Sequence, residues 1–215
     1  PMSEARTKAG LARAASHALG RAAAAKRSAA IAVAARLIRE RTDAIVAANA
    51  RDMERSRKAG MPAPLLDRLM LDAKRLDGIA SSLEEISRQD DPLGCVSWGR
   101  TLDSGVRVER VSVPMGVVAM IYEARPNVTA DAFGLCVRSG NACVLKGGSA
   151  ARESCLALVA CCRDALVEVG LPADAVQYVD DDVEHTQTSE LVHATGLVDV
   201  LIPRGGAGLI RSVVE

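Results

Sequence analysis

Three short strings in this 215-residue chain set charged or amide side chains beside glycines, in patterns suited to chemistry. They are Glu123-Ala124-Arg125-Pro126-Asn127, Lys146-Gly147-Gly148-Ser149 and Pro203-Arg204-Gly205-Gly206-Ala207-Gly208. Asn127 has two readings. Its side chain is suited to capping a helix that starts there, and its amide is equally suited to donating to an oxyanion formed when an acyl carbon is attacked. Lys146 supplies positive charge, the glycines after it let a ligand approach the backbone, and Ser149 adds a hydroxyl at a helix start. The plainer reading of Lys146 is a strand-end side chain that reaches solvent. In the third string a glycine cluster opens a helix, and the free N–H groups there suit a phosphate or pyrophosphate. Neither glycine cluster follows G-x-G-x-x-G, so the ordinary dinucleotide fingerprint is absent.

The elements around these strings place all three on one side of a sheet. After Pro114 short apolar runs alternate with helical patterns: strands at 117–122, 142–146, 176–179 and 197–202, helices at 129–137, 150–169 and 184–194. In the helix at 150–169, Cys155, Leu158, Val159, Cys162, Ala165, Leu166 and Val169 share a face, and Gly170 and Pro172 end it. Strands that are continuous apolar runs predict a parallel sheet covered on both faces. In such a sheet ligands bind outside the carboxyl ends of the strands, and each chemical string follows a strand. Before this region, residues 3–90 read as helical. From Ser28, a plausible N-cap, the positions Ile31, Ala34, Ala35, Ile38 and Ile45 recur at helical spacing, leaving Arg36, Arg39 and Glu40 to water. Gly60, Pro62 and Pro64 break the pattern before shorter helices at 65–69 and 73–87. Between 98 and 113 the turn signal Asp103-Ser104-Gly105 and the alternating Val106, Arg107, Val108 and Glu109 predict a β-hairpin, half-buried or on a sheet edge. The division expected is 1–92 helical, 93–113 hairpin extension and 114–215 nucleotide-binding α/β.

Composition narrows the class of partner. Lysine plus arginine equals aspartate plus glutamate, at 27 each, so no net field collects nucleic acid or an anionic membrane. Trp98, Tyr122, Tyr178 and Phe133 are the only aromatics, too few for base-stacking platforms. The six cysteines form no C-x-x-C pair and only three histidines accompany them, which argues against zinc. Five of the six lie in apolar segments and read as reduced core thiols of a cytoplasmic protein. No apolar run reaches the length of a membrane span. A small-molecule ligand is the remaining expectation.

The stretches Val113–Thr129, Ser139–Ser149 and Val200–Ile210 resemble the gamma-glutamyl phosphate reductase branch of the aldehyde dehydrogenase superfamily, with Tyr-Glu-Ala-Arg-Pro-Asn and Ile-Pro-Arg-Gly-Gly-Ala as the specific strings. The resemblance implies an α/β, aldehyde-dehydrogenase-like fold: an N-terminal helical region, a Rossmann-like parallel sheet and a β-extension used for homo-oligomers. It implies NADPH-dependent reduction of L-glutamyl 5-phosphate to the 5-semialdehyde, in proline biosynthesis. Lys146 and Ser149 would hold the adenosine ribose and its 2′-phosphate, hence NADP; Gly205 and Gly206 would lie beside the pyrophosphate. Asn127 would be the oxyanion-hole residue, and Arg125 is the candidate for binding substrate. None of the six cysteines matches the family's nucleophile, which lies further along, so residues 1–215 alone are expected to be inactive. The alternatives are a non-catalytic nucleotide-binding or assembly module, and a coenzyme-A-dependent aldehyde dehydrogenase relative.

Overall fold

In the computed structural model, residues 3–180 and 186–214 are described. Five helices come first: α1 (Glu4–Gly20), α2 (Ala24–Glu40), α3 (Thr42–Lys58), α4 (Ala63–Leu69) and α5 (Ala73–Arg88). Ser3 caps α1 through the Arg6 N–H, and Asp72 caps α5 through the Arg75 N–H. The buried face of α1 is built on Ala5, Ala9, Ala12 and Ala15, small side chains that let the helix lie close to its neighbours. Ser28 is not the cap expected of it. The helix already begins at Ala24, and the Ser28 hydroxyl accepts a hydrogen bond from Arg138 at 2.5 Å. The apolar period that begins at Ile31 is also divided between two helices. Ile31, Ala34, Ala35 and Ile38 belong to α2 and Ile45 to α3. At the junction the Thr42 hydroxyl bonds back to the carbonyls of Ile38 and Arg39, a local alternative to continuing the helical ladder.

The hairpin consists of β1 (Val96–Thr101) and β2 (Arg107–Val111), antiparallel, with Gly105 at φ +84° in the turn. Half-burial is not found: every residue of both strands is exposed, and the pair stands apart from the main sheet. Alternation specifies which side chains share a face, and burial needs a covering layer, which no other described element of this chain supplies.

The remaining elements are β3 (Val117–Tyr122), α6 (Asn127–Arg138), β4 (Ala142–Lys146), α7 (Arg152–Glu168), β5 (Val176–Tyr178), α8 (Thr186–Val192), β6 (Val200–Arg204) and α9 (Ala207–Val214). The strands form one parallel sheet in the order β5-β4-β3-β6. The chain moves outward from β3 to β4 to β5, so right-handed crossovers put α6 and α7 on one face. It then returns past β3 to β6, which carries α8 to the other face, where it packs with α1. Helices α2, α3 and α5 form an outer layer over α6 and α7. The expected fourth strand began at Leu197; in the structure β6 begins at Val200, because both Leu197 and Val198 donate to the Ala194 carbonyl in a turn. The expected helix start at Glu184 lies outside the described residues.

Candidate functional site

The strand order reverses between β3 and β6, and an open parallel sheet offers its crevice at such a reversal, beyond the carboxyl ends. Register brings the three chemical strings level there. Ile121 of β3 pairs with Lys146, and Tyr122 with Arg204. The loops touch directly: a Cβ added to Gly148 would stand 3.2 Å from the Ala124 nitrogen and 3.3 Å from the Glu123 carbonyl carbon. A Cβ on Gly147 would press on Tyr122, Cys155 and the Tyr178 hydroxyl. These two glycines are needed for the packing of the strand ends against one another.

Lys146 closes β4 and is only 7% exposed, so it is not the solvent-reaching strand end of the plainer reading. Ser149 is exposed and opens a 3-10 turn (Ser149–Ala151) that leads into α7. The first N–H groups of α7 are already engaged: the buried carboxylate of Asp52, on α3, accepts from Glu153 N at 3.2 Å and from Ser154 N at 2.8 Å. Asp52 also takes the Ser154 hydroxyl at 2.7 Å and pairs with Arg55 at 2.5 Å. The start of α9 is met in the same way. Glu123 Oε1 accepts the Gly206 N–H at 2.7 Å. A Cβ on Gly205 would lie 2.7 Å from that oxygen, so glycine here admits the carboxylate.

Asn127 is the first residue of α6, not its cap, and its side chain makes no capping bond. The cap reading is therefore set aside. Its amide donates to Asp131 at 3.4 Å, one turn on, a long contact at the limit of a hydrogen bond. Burial raises the Asp131 pKa above the ordinary carboxylate value, opposed by the positive charge of Arg204 and by the Asn127 amide. Both residues line a cavity of about 450 Å³ between α4, α5 and α6, with Arg68, Arg75 and Ile79 on its other walls. Arg68 also reaches a second cleft, of about 310 Å³, lined by Glu123, Arg125, Arg204, Gly205 and Gly206. The side chains of Arg68, Arg125 and Arg204 make no hydrogen bond or ion pair among the described residues. Sequence reasoning gave no role to Arg68, Glu123, Asp52 or Asp131. Arg68 carries no local signal at all, whereas Glu123 and Arg204 stood inside quoted strings.

The cysteines are placed as core. Cys136, Cys143, Cys155, Cys161 and Cys162 are buried, and Cys95 is exposed at the base of the hairpin. Burial pushes the Cys155 thiol up to about 11, although Thr129 and Tyr122 hydrogen bonds oppose it. Burial also raises Cys161 and, far more, Cys162, while Cys143 is raised chiefly by its hydrogen bond with Cys136. Raised thiols are poor nucleophiles.

A parallel sheet with helices on both faces and an order that reverses beside β3 defines an open, doubly wound α/β class of protein. More particularly, the aldehyde dehydrogenase family model matches residues 3–202, and the chain belongs to that family. It is similar to the gamma-glutamyl phosphate reductase of Thermotoga maritima, with 35% identity and a TM-score of 0.96 over 99% of this chain and 51% of that one. The Saccharomyces cerevisiae gamma-glutamyl phosphate reductase gives 28% identity and a TM-score of 0.91, over 99% of this chain and 54% of that one. The chain thus spans about half the length of these reductases. A glyceraldehyde-3-phosphate dehydrogenase from Methanocaldococcus jannaschii, solved with NADP, shares the fold at 15% identity and a TM-score of 0.71, over 98% of this chain and 43% of that one. No helix among the described residues is long and apolar enough to cross a membrane.

Proposed function

We propose that this chain is the cofactor-binding portion of an NADPH-dependent gamma-glutamyl phosphate reductase, which converts L-glutamyl 5-phosphate to L-glutamate 5-semialdehyde and phosphate in proline biosynthesis. The observation that carries this reading is the 35% identity to such a reductase across 99% of the chain. The donor set at the carboxyl edge fits a phosphate-bearing nucleotide. Lys146 supplies a fixed cation at the end of β4, and Ser149 presents an exposed hydroxyl at the start of the turn into α7. Lys146 and Ser149 are assigned to the adenosine ribose and its 2′-phosphate, and Gly205 and Gly206 to the neighbourhood of the pyrophosphate. The bound nicotinamide supplies hydride. Asn127 is assigned to the oxyanion, its amide N–H donating where negative charge develops on the acyl oxygen. Arg125 is assigned to the substrate. The nucleophilic thiolate that displaces phosphate is not assigned to any of these six cysteines. The hairpin, exposed on both faces, is assigned to contact between subunits of a homo-oligomer, and the protein to the cytoplasm.

The assay is run backwards for convenience: the intact protein is given the semialdehyde, phosphate and NADP, and NADPH absorbance is followed. Phosphate-dependent formation of NADPH is the expected result. Turnover that requires coenzyme A instead of phosphate would replace this reading with the acylating alternative.

A further inference from the structure

The chain has two tyrosines, and the ends of β3 and β5 bring both to one buried point beneath the Gly147-Gly148 turn. Strand β4 lies between those two strands, so Tyr122 and Tyr178 flank its end from either side. A Cβ on Gly147 would stand 3.1 Å from Tyr122 Cε2, 3.2 Å from the Tyr178 hydroxyl and 3.2 Å from Cys155 Sγ. The Tyr122 hydroxyl lies 2.6 Å from that of Thr129 and 3.8 Å from the Cys155 sulfur. Tyr122, Tyr178, Thr129 and Cys155 are each at most 4% exposed. Two strand ends and the first turns of α6 and α7 therefore meet in one cluster of hydroxyls and a thiol.

Apolar side chains would fill this space without the cost of burying polar atoms. Buried hydroxyls need partners in fixed directions, so the cluster holds a more definite geometry than apolar packing would. Burial is the chief cause that raises both phenols above their ordinary value, and each stays a neutral hydroxyl. The turn is closed from its other side as well, since a Cβ on Gly148 would lie 3.2 Å from the Ala124 nitrogen. The backbone between Lys146 and Ser149 is thus wedged between the cluster and the loop after β3.

We propose that Tyr178, Cys155 and Tyr122 are positioning residues for the cofactor. Their buried polar atoms hold the Gly147 backbone in place, and the turn passes that constraint to the Lys146 ammonium before it and the Ser149 hydroxyl after it. These roles rest on the assignment of Lys146 and Ser149 to the adenosine ribose and its 2′-phosphate. The three side chains lie beneath the turn, out of a ligand's reach, so they act through affinity and through the preference for NADPH over NADH.

The test is fluorescence titration of the intact protein with NADPH and NADH, beside a melting transition for each variant. Gly147 has no positive φ, so alanine there strains no backbone and acts by pressing on the cluster, which must give by a few tenths of an ångström. Gly147→Ala is expected to weaken NADPH roughly tenfold and NADH much less, because a charge-assisted contact to the 2′-phosphate depends closely on its geometry. Adding Cys155→Ala makes room for the new methyl, so the double variant should bind NADPH more tightly than Gly147→Ala alone. Tyr178→Phe keeps the ring and removes only the hydroxyl, and a several-fold loss of NADPH is expected. Cys162→Ala, fully buried on α7 about two turns further on, is the control for destabilisation. It should lower the melting transition and leave both cofactors unchanged. The proposal is overturned if Gly147→Ala or Tyr178→Phe binds NADPH as the wild type does, whatever its melting transition, since that is the mark of a merely structural cluster. It is also overturned if the double variant binds no more tightly than Gly147→Ala. A lost NADPH preference in Lys146→Ala with no effect of the cluster variants would remove the positioning role and leave the cofactor reading. An unchanged preference in Lys146→Ala would remove both.

Discussion

The Asp52 carboxylate, on α3, accepts both the N–H and the hydroxyl of Ser154, at 2.8 and 2.7 Å, across 102 residues of chain. The cap that α7 needs is thus supplied by another helix. Asn49, one turn earlier on α3, extends the connection by donating to the Ser154 hydroxyl at 3.0 Å and to the Leu69 carbonyl at 2.8 Å. The outer helices thereby fix the start of α7, and with it the Lys146–Ser149 loop.

Asp52→Ala removes the acceptor of three donors at the start of α7, two of them on the fully buried Ser154. A loss of about 2–4 kcal/mol of stability is expected, with a smaller loss for Asp52→Asn, which keeps one acceptor oxygen. Denaturant unfolding of the intact protein measures both. A change under about 0.5 kcal/mol for the alanine variant, the range of ordinary surface substitutions, would mean that this cap contributes little.

Alkaline pH should weaken the fold through Cys155. Its folded pKa, about 11, is raised above the ordinary 9.0, chiefly by burial among Tyr122, Thr129 and Tyr178. Above pH 9 the unfolded chain releases the proton while the folded chain keeps it, so stability present below pH 9 is lost as pH rises towards 11. The expected slope from this one thiol is at most about 1.4 kcal/mol per pH unit. Unfolding curves for wild type and Cys155→Ala, taken from pH 8 to 10.5, should converge as pH rises. Parallel pH dependences would show that the thiol does not titrate differently in the two states.

Lys146→Ala should weaken NADPH by about 1.5–3 kcal/mol, the size of one charge-assisted contact, and NADH much less. The two dissociation constants, measured by cofactor fluorescence on the intact protein, decide it. Equal losses would return Lys146 to a purely structural place at the end of β4.

Asn127→Asp exchanges an amide donor for a carboxylate that can only accept, next to Asp131, which burial already makes reluctant to ionise. Because Asn127 caps nothing, stability should change by no more than a few tenths of a kcal/mol, the scale of a like-charge pair one turn apart. Turnover should fall on the order of 10²-fold or more if the amide donates to the oxyanion. Unchanged turnover in a folded variant would end that assignment.

The sequence by itself determined most of the sheet and its flanks. The apolar runs located β3 and β4 to the residue, since a strand buried on both faces is a nearly unbroken apolar run, with Lys146 marking the end of β4. Of the shared face expected from Cys155 to Val169, the part to Leu166 is the buried face of α7, Val169 is its partly exposed C-cap, and Gly170, at φ +68°, lies just beyond. The resemblance carried by the strings at 113–129, 139–149 and 200–210 agrees with the family that the chain matches. Only the tertiary structure decided how the edge is wired. The start of β6 moved because that strand lies on the edge, where a partly exposed run tolerates polar residues and its limits follow the preceding turn. Asp52 reached α7, Glu123 reached Gly206, and Arg68 came to face Arg125 and Arg204 across stretches of chain that no periodicity links. Periodicity records which face of an element is apolar. It holds no record of which distant polar group will meet that element's ends, because such contacts are set by the packing of whole layers.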